Sequence, residues 1–563
     1  MTAAAPARPS AAPIVRRVVV YTILFVLVVL TASGAADLVG RLFDVFGDEV
    51  LAGSGTGGLA VSLTFTLIAG PLAGVLGWFS WRRLADPTER DSLAWALYLV
   101  GMSTLALVVW TTASLSAVAD AVTAGSVTTD SVTAAAATGL VWAVVWAGHW
   151  FVLRRTDRRP TRLPGTAALL GGTFGLLLGA GGGIAALTSL VDEALTILTG
   201  GAVASLGSPW WSGALQALVW AAGGALVWSW LWLRGGGRTA RTALAAVVLV
   251  GVAVLGGALL ALAGTGTVLF VLLRLAVDRS DTVPVLLEPL APAIAAALVG
   301  SLIWVYHRGV VRGRSPAVRQ ASTLVTSGLA LIFAATGIGV IVNALLATLT
   351  TPLAGSDPRT VLLAGLSSLL VGGPLWWATW RPATAPAPDR RAWAGRGVYL
   401  EVVFGISAIV ALITLLVIGF RLFDTVLAGN PGLLERIRAP LGLLVATGLV
   451  AAYHFSVWRR DRAEVASAAP VSAPVAARPA DAMRAIGEVV LVMGPGAAPV
   501  VDHLRRLTGA PVDYWQRSGP ATAMPDPGQV VQALAGVSGD RVLLIVGEDG
   551  ALTVIGLVPA QVT

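Results

Sequence analysis

Runs of roughly 20 or more apolar residues recur along the chain, and no other feature of the sequence restricts its fold so severely. At 1.5 Å per residue, a helical run of that length crosses a hydrocarbon core of about 30 Å. Inside hydrocarbon only the chain itself can satisfy backbone N–H and C=O groups, so the runs must be helices. Twelve are expected, at roughly 16–42, 58–82, 92–120, 131–154, 165–198, 212–234, 240–277, 285–308, 318–349, 359–381, 397–428 and 436–459. Composition agrees: 56% of residues are hydrophobic, 12% are charged and the mean hydropathy is +0.81, which leaves too little charge for the shell of a soluble protein of 563 residues. The absence of cysteine excludes disulfides, thiolate metal sites and a cysteine nucleophile.

The positive charges set the direction of threading. Every basic residue is arginine, as expected of GC-rich bacterial coding. The N-terminus and the loops after even-numbered runs hold 25 of them. The opposite side holds seven, Arg41, Arg274, Arg279, Arg359, Arg421, Arg436 and Arg438, with acids such as Asp37, Asp48, Asp130, Asp192 and Asp357. Short cytoplasmic loops carry the arginine excess of membrane proteins, so both termini are expected on the cytoplasmic side of a bacterial inner membrane. The net charge of +8 is thus a matter of topology and does not call for nucleic acid.

Even-numbered runs end in tryptophan beside arginine, most fully in GGPLWWATWRP at 372–382. An indole has an apolar body and one N–H, and it settles at headgroup depth. Trp78, Trp81, Trp146, Trp150, Trp228, Trp230, Trp232, Trp304, Trp376, Trp377, Trp380 and Trp458 therefore read as an interfacial belt against the lipid bilayer. The first run, preceded by Arg16-Arg17 and followed by TASGAA, imitates a signal peptide; its place in a repeat argues that it stays as the first span.

That repeat appears in the run ends. Trp81, His149, Trp232, His307, Trp380 and His454 follow one another at 68, 83, 75, 73 and 74 residues, a hairpin period of about 75. RLFD stands at both 41–44 and 421–424, and the odd-numbered runs exceed what a membrane needs. Odd hairpins close on WFSWRR, WLWLR and WWATWR, whereas even ones place a histidine five residues before Arg154, Arg312 or Arg459. The expected unit is four helices, repeated three times in parallel: 16–160, 161–316 and 317–462, behind a disordered tail at 1–15. These tandem hairpins ending in GPLWWATWR- or GHW-type motifs resemble the bacterial membrane family called domain of unknown function 5671, over residues 16–460 and in three copies. That resemblance implies a membrane location and no activity; the match is poor at WSWLWLRGGG.

Polar chemistry is sparse. His149, His307 and His454 occupy equivalent depths, and around a pseudo-threefold axis they would form a metal site or pH sensor; as interfacial polar tips they would form neither. Glu401 is the carboxylate best placed to be immersed, alone or paired with an arginine. Gly175, Gly179 and Gly183 are read as a packing face of the fifth helix. No catalytic cluster, cofactor motif or metal motif stands out.

After an Ala/Pro-rich linker at 463–482, residues 483–563 alternate strand and helix signals, which implies a small α/β cytosolic domain. Its GPGAAP turn after a strand is a weak phosphate signal, and Asp502 and His503 make no triad. The sequence thus describes an all-α polytopic membrane protein with an α/β tail. It is expected to be a non-enzymatic scaffold or sensor that takes a protein partner or small ligand through its tail, the alternative being a small-solute permease.

Overall fold

The structure, a computed structural model, describes residues 11–45, 56–123, 129–200, 209–278, 280–349, 357–383, 390–429, 432–468, 486–518, 523–534, 537, 540–547 and 549–557. It divides into two compact units, Met1–Asp461 and Arg462–Thr563. The first carries twelve helices long and apolar enough to cross a membrane: α1 Pro13–Asp44, α2 Thr56–Arg83, α3 Leu93–Val122, α4 Ser131–Arg154, α5 Thr166–Leu198, α6 Trp211–Arg234, α7 Ala243–Val277, α8 Val283–Arg312, α9 Pro316–Ala347, α10 Pro358–Arg381, α11 Gly395–Ala428 and α12 Leu433–Ala463. All twelve fall on the apolar runs. Odd-numbered helices have 30–35 residues and even-numbered ones 24–31. The odd ones thus measure roughly 45–53 Å, well beyond the hydrocarbon core. The helix at the N-terminus already begins at Ala11, inside the stretch expected as a tail; Pro13 fits in a first turn, where its missing N–H is not needed. Residues 1–10 and 469–485, which include most of the expected linker, lie outside the described residues.

Consecutive helices pair as hairpins, α3 on α4, α5 on α6, α7 on α8 and α9 on α10. Lipid tails are as apolar as leucine side chains, so such pairing depends on close backbone approach. A Cβ built on Gly224 of α6 would stand 2.2 Å from the Gly179 nitrogen of α5. Gly182 meets Ala221 N at 2.4 Å, and Gly175 meets Trp228 N at 2.5 Å. The packing face is therefore Gly175, Gly179 and Gly182. Gly183 turns toward Val299 of α8 instead. Steps of four and three residues return to one helical face, whereas two steps of four drift by about 80°. The same device closes α7 on α8 at Gly264 and Ala297, α9 on α10 at Gly337 and Leu369, and α9 on α12 at Gly339 and Gly442.

Among the described residues three segments widen to π-helix: Phe65–Ala69, Trp230–Arg234 and Val248–Val254. The first has a local cause in Pro71, which has no N–H to return to the preceding turn. At the opposite ends of the hairpins, Asp278 follows α7 and accepts from the Thr360 hydroxyl of α10 at 2.6 Å, with Arg274 at 3.3 Å. The Thr360 hydrogen bond, helped by Ser280 and Arg274, outweighs burial and holds the Asp278 carboxyl below its ordinary range.

In the second unit β1 (Val489–Met493), α13 (Ala498–Thr508), β2 (Val512–Gln516), α14 (Pro527–Leu534), β3 (Arg541–Val546) and β4 (Leu552–Leu557) follow the expected alternation. The sheet order is β2-β1-β3-β4, parallel except for the β3–β4 hairpin. Val500 and Leu504 of α13 and Val530 and Leu534 of α14 join the β1 and β3 side chains in one core.

Two outcomes test this packing. Gly224→Val should separate α5 from α6 and lower the melting temperature of the detergent-solubilised protein; Gly213→Ala, with open space around its Cβ, should shift stability by less than about 1 kcal/mol. Because the folded Asp278 pKa is depressed, its stabilisation is present above the unfolded value of about 3.9 and fades as pH falls through the folded one. Asp278→Asn should melt below the wild type at neutral pH, and the gap should close on acidification.

Candidate functional site

The N-terminal three turns of α1 and two turns of α3 meet the C-terminal ends of α2 and α4 in one cluster. Tyr21, Leu24, Leu84, Trp95, Tyr98 and Leu99 are buried there, with Trp81 and Val152 packed against them. His149 stands at its edge. The ring Nδ1 lies 2.7 Å from the Val145 carbonyl one turn back, which makes it the protonated nitrogen. Nε2 is left as an acceptor and takes the Tyr98 hydroxyl at 3.0 Å. A cavity of about 260 Å³ opens beside this pair, bounded by all four helices through residues including Leu24, Ser80, Trp81, Trp95, Val144 and Gly148. None of its lining residues is charged, and the buried Ser80 hydroxyl has no hydrogen-bond partner.

Equivalent meetings occur twice more. Leu169, Trp232, Leu249 and Val311 gather from α5, α6, α7 and α8, and Leu324, Trp380, Leu400 and Trp458 from α9, α10, α11 and α12. His307 and His454 repeat the back-bond to Ile303 and Val450, each at 2.8 Å. Here a tyrosine precedes the histidine. Trp232 donates its indole N–H to the Tyr306 hydroxyl at 3.2 Å, and Trp380 donates to Tyr453 at 2.9 Å. In the first cluster that position is Gly148, where an added Cβ would meet nothing within 4 Å.

The three histidines are not brought together. His149 contacts Tyr98, His307 contacts Trp228, Trp232 and Tyr306, and His454 contacts Trp380, Tyr399 and Tyr453, with no partner in common. Among the described residues no three His, Asp or Glu side chains are placed to hold a metal ion. The convergent arrangement fails because each ring packs among its own four helix ends, His307 and His454 buried there and His149 half-buried. Glu401 is exposed on α11.

The tryptophan belt needs correcting at three positions. Trp146, Trp232 and Trp380 are buried in protein, at 8%, 3% and 1% exposure. Each fills the space where helix ends converge, which an outward indole could not do. Trp78 and Trp377 are exposed, and Trp81, Trp150, Trp228, Trp230, Trp304, Trp376 and Trp458 are half-buried. Arginine also does more than neighbour them: Arg82, Arg154, Arg158 and Arg308 lie 4.6–5.2 Å from the ring centres of Trp78, Trp150, Trp81 and Trp304, within cation–π range.

Charged locks hold the loops at this end. A one-turn helix, Pro87–Arg90, returns Glu89 to α1, where it is buried. Arg17 reaches it at 2.8 Å, Arg16 at 3.5 Å and the Tyr21 hydroxyl at 3.2 Å. Arg158 donates to the last-turn carbonyl of Trp81. Arg314, buried, donates to the carbonyls of Ala240 and Arg238, and desolvation together with Arg241 lowers its pKa from the ordinary arginine value. Arg396 pairs with Asp461 at 2.7 Å.

Sequence reasoning passed over Ser80, Tyr98, Gly148, Tyr306 and Tyr453. The residue preceding each histidine, Gly-Tyr-Tyr across the three, was the available signal. In the α/β unit, the Tyr514 hydroxyl donates to the Gly494 carbonyl at 2.8 Å and ties down the glycine turn; Asp502 is exposed and His503 half-buried on α13.

Twelve described helices are long and apolar enough to cross a membrane, and aromatic–histidine clusters close their ends. The family described as Domain of unknown function (DUF5671) matches residues 17–148 and 320–449. The chain carries this domain in two copies; α5 to α8, expected as a third, lie outside both matches. No curated protein and no solved structure matches the chain.

Removing the Glu89 carboxylate leaves the part-buried Arg17 without its ion-pair partner and the Tyr21 hydroxyl without its acceptor, so Glu89→Ala should cost about 2 kcal/mol. Arg16→Ala, at a half-exposed partner, should cost at most about 1 kcal/mol. Thermal unfolding followed by circular dichroism would measure both.

Proposed function

We propose that this protein is a non-enzymatic membrane scaffold built from three four-helix blocks, 16–160, 161–316 and 317–462, with residues 483–563 as a binding or assembly module in the cytosol. One observation supports this above the permease alternative. The buried ionisable side chains Glu89, Asp278, His307, Arg314, Arg396 and His454 all lie at helix ends or in loops. A path for a solute or ion needs polar or ionisable groups part-way through the bilayer. Part-way along the spans, the buried polar groups among the described residues are uncharged hydroxyls such as Ser103, Thr111, Ser327 and Thr414, set between glycine and alanine contacts that bring backbones together. The three meeting points of helix ends favour three blocks, with α5–α8 as a diverged copy. The arginine excess favours a cytosolic location for both termini and for the α/β module.

The reading is tested in proteoliposomes. Purified protein should add no saturable uptake of labelled amino acids, sugars or inorganic ions under proton or sodium gradients. Protein-dependent uptake that saturates with solute would overturn it.

A further inference from the structure

Beyond the scaffold reading, and independent of it, the first four-helix cluster has the features of a ligand site. We infer that the cavity beside His149 binds a neutral, lipid-soluble ring compound bearing oxygen, of the quinone or quinol class.

Four observations combine. First, the clusters differ at the residue that precedes the histidine. Tyr306 and Tyr453 each bond the indole of the neighbouring helix end, whereas Gly148 leaves space beside Trp81. Second, that space measures about 260 Å³, larger than the roughly 150 Å³ that admits benzene. Third, its walls set the chemistry. Trp81, Trp95, Tyr98 and His149 offer ring faces, valines and leucines line the remainder, and the absence of charge excludes an ionic headgroup. The Ser80 hydroxyl at the cavity wall is buried without a protein partner, and a change of its χ1 rotamer would let it donate to a carbonyl oxygen. The Tyr98 oxygen, whose proton goes to His149, keeps a lone pair for a hydroxyl on the ligand. A plain acyl chain would leave Ser80 unsatisfied, at a cost that a ligand oxygen removes. Fourth, the entrance faces lipid. Val144 and Gly148 lie on one stripe of α4 with Leu140 and Phe151, and Val144 is 68% exposed. A ligand dissolved in the bilayer reaches the cavity without crossing water.

The test uses the full chain in detergent, with decylubiquinone as probe and decylbenzene as an oxygen-free control, and follows binding by calorimetry. The wild type should bind the quinone saturably and the hydrocarbon at least tenfold more weakly. Gly148→Tyr, which restores the side chain of the other clusters, should weaken quinone binding at least tenfold. Ser80→Ala should weaken it about fivefold, the loss of one hydrogen bond. A melting curve checks that each variant is folded, and Gly148→Leu replaces Gly148→Tyr if the latter is not. No saturable quinone binding, or binding unchanged in a folded Gly148 variant, overturns the site. Equal affinity for the hydrocarbon, or no effect of Ser80→Ala, overturns recognition of oxygen.

Discussion

Helix-to-helix backbone approach is the interaction on which the membrane unit depends. Water drives apolar surfaces together in a soluble protein, but lipid offers no such force, and dispersion contacts between closely fitted helices must replace it. The contact of Gly179 with Gly224 is the extreme case. Where it operates, no side chain separates the two backbones, and several leucines of the same helices point outward. Leu177, Leu218 and Leu226 are exposed on the same two helices. The aromatic clusters follow from this arrangement. Helices that touch at glycines spread apart beyond them, and tryptophan, tyrosine and histidine fill the gap.

Much of this was readable in the residues. Length and hydropathy located all twelve helices to within a few residues, because hydrocarbon leaves the backbone no alternative to helix. The alternation in the tail identified its strands and helices for a similar reason, a buried period of two against one near 3.6. Side-chain direction was less legible. A tryptophan at headgroup depth has the same sequence signature whether it faces lipid or a neighbouring helix, so Trp377 and Trp380, three residues apart, were read alike although one is exposed and the other buried. The histidines were legible only in part, for a related reason. Equivalent depth was visible, but whether equivalent rings converge depends on rotation about each helix, which spacing alone does not give.

The family match sharpens the account of the repeat. The two copies at 17–148 and 320–449 flank a middle stretch whose helix ends nevertheless meet around Trp232 and His307 as the others do around Trp81 and Trp380. WLWLRGGG has a π-helical last turn and a glycine hinge where the outer copies have a regular helix end. Packing geometry tolerates such drift more readily than a sequence profile does.

The back-bonded imidazoles have one more implication. Since Nδ1 is committed to its own helix, only Nε2 can report on what surrounds each ring. In His149, just past the first family match, that nitrogen receives the Tyr98 hydroxyl, while in His454, just past the second, Nε2 is buried without a partner. One polypeptide therefore holds the same ring in two electronic settings. Nitrogen resonances from the pair would form a matched experiment, each serving as the other's reference under identical lipid, temperature and acidity.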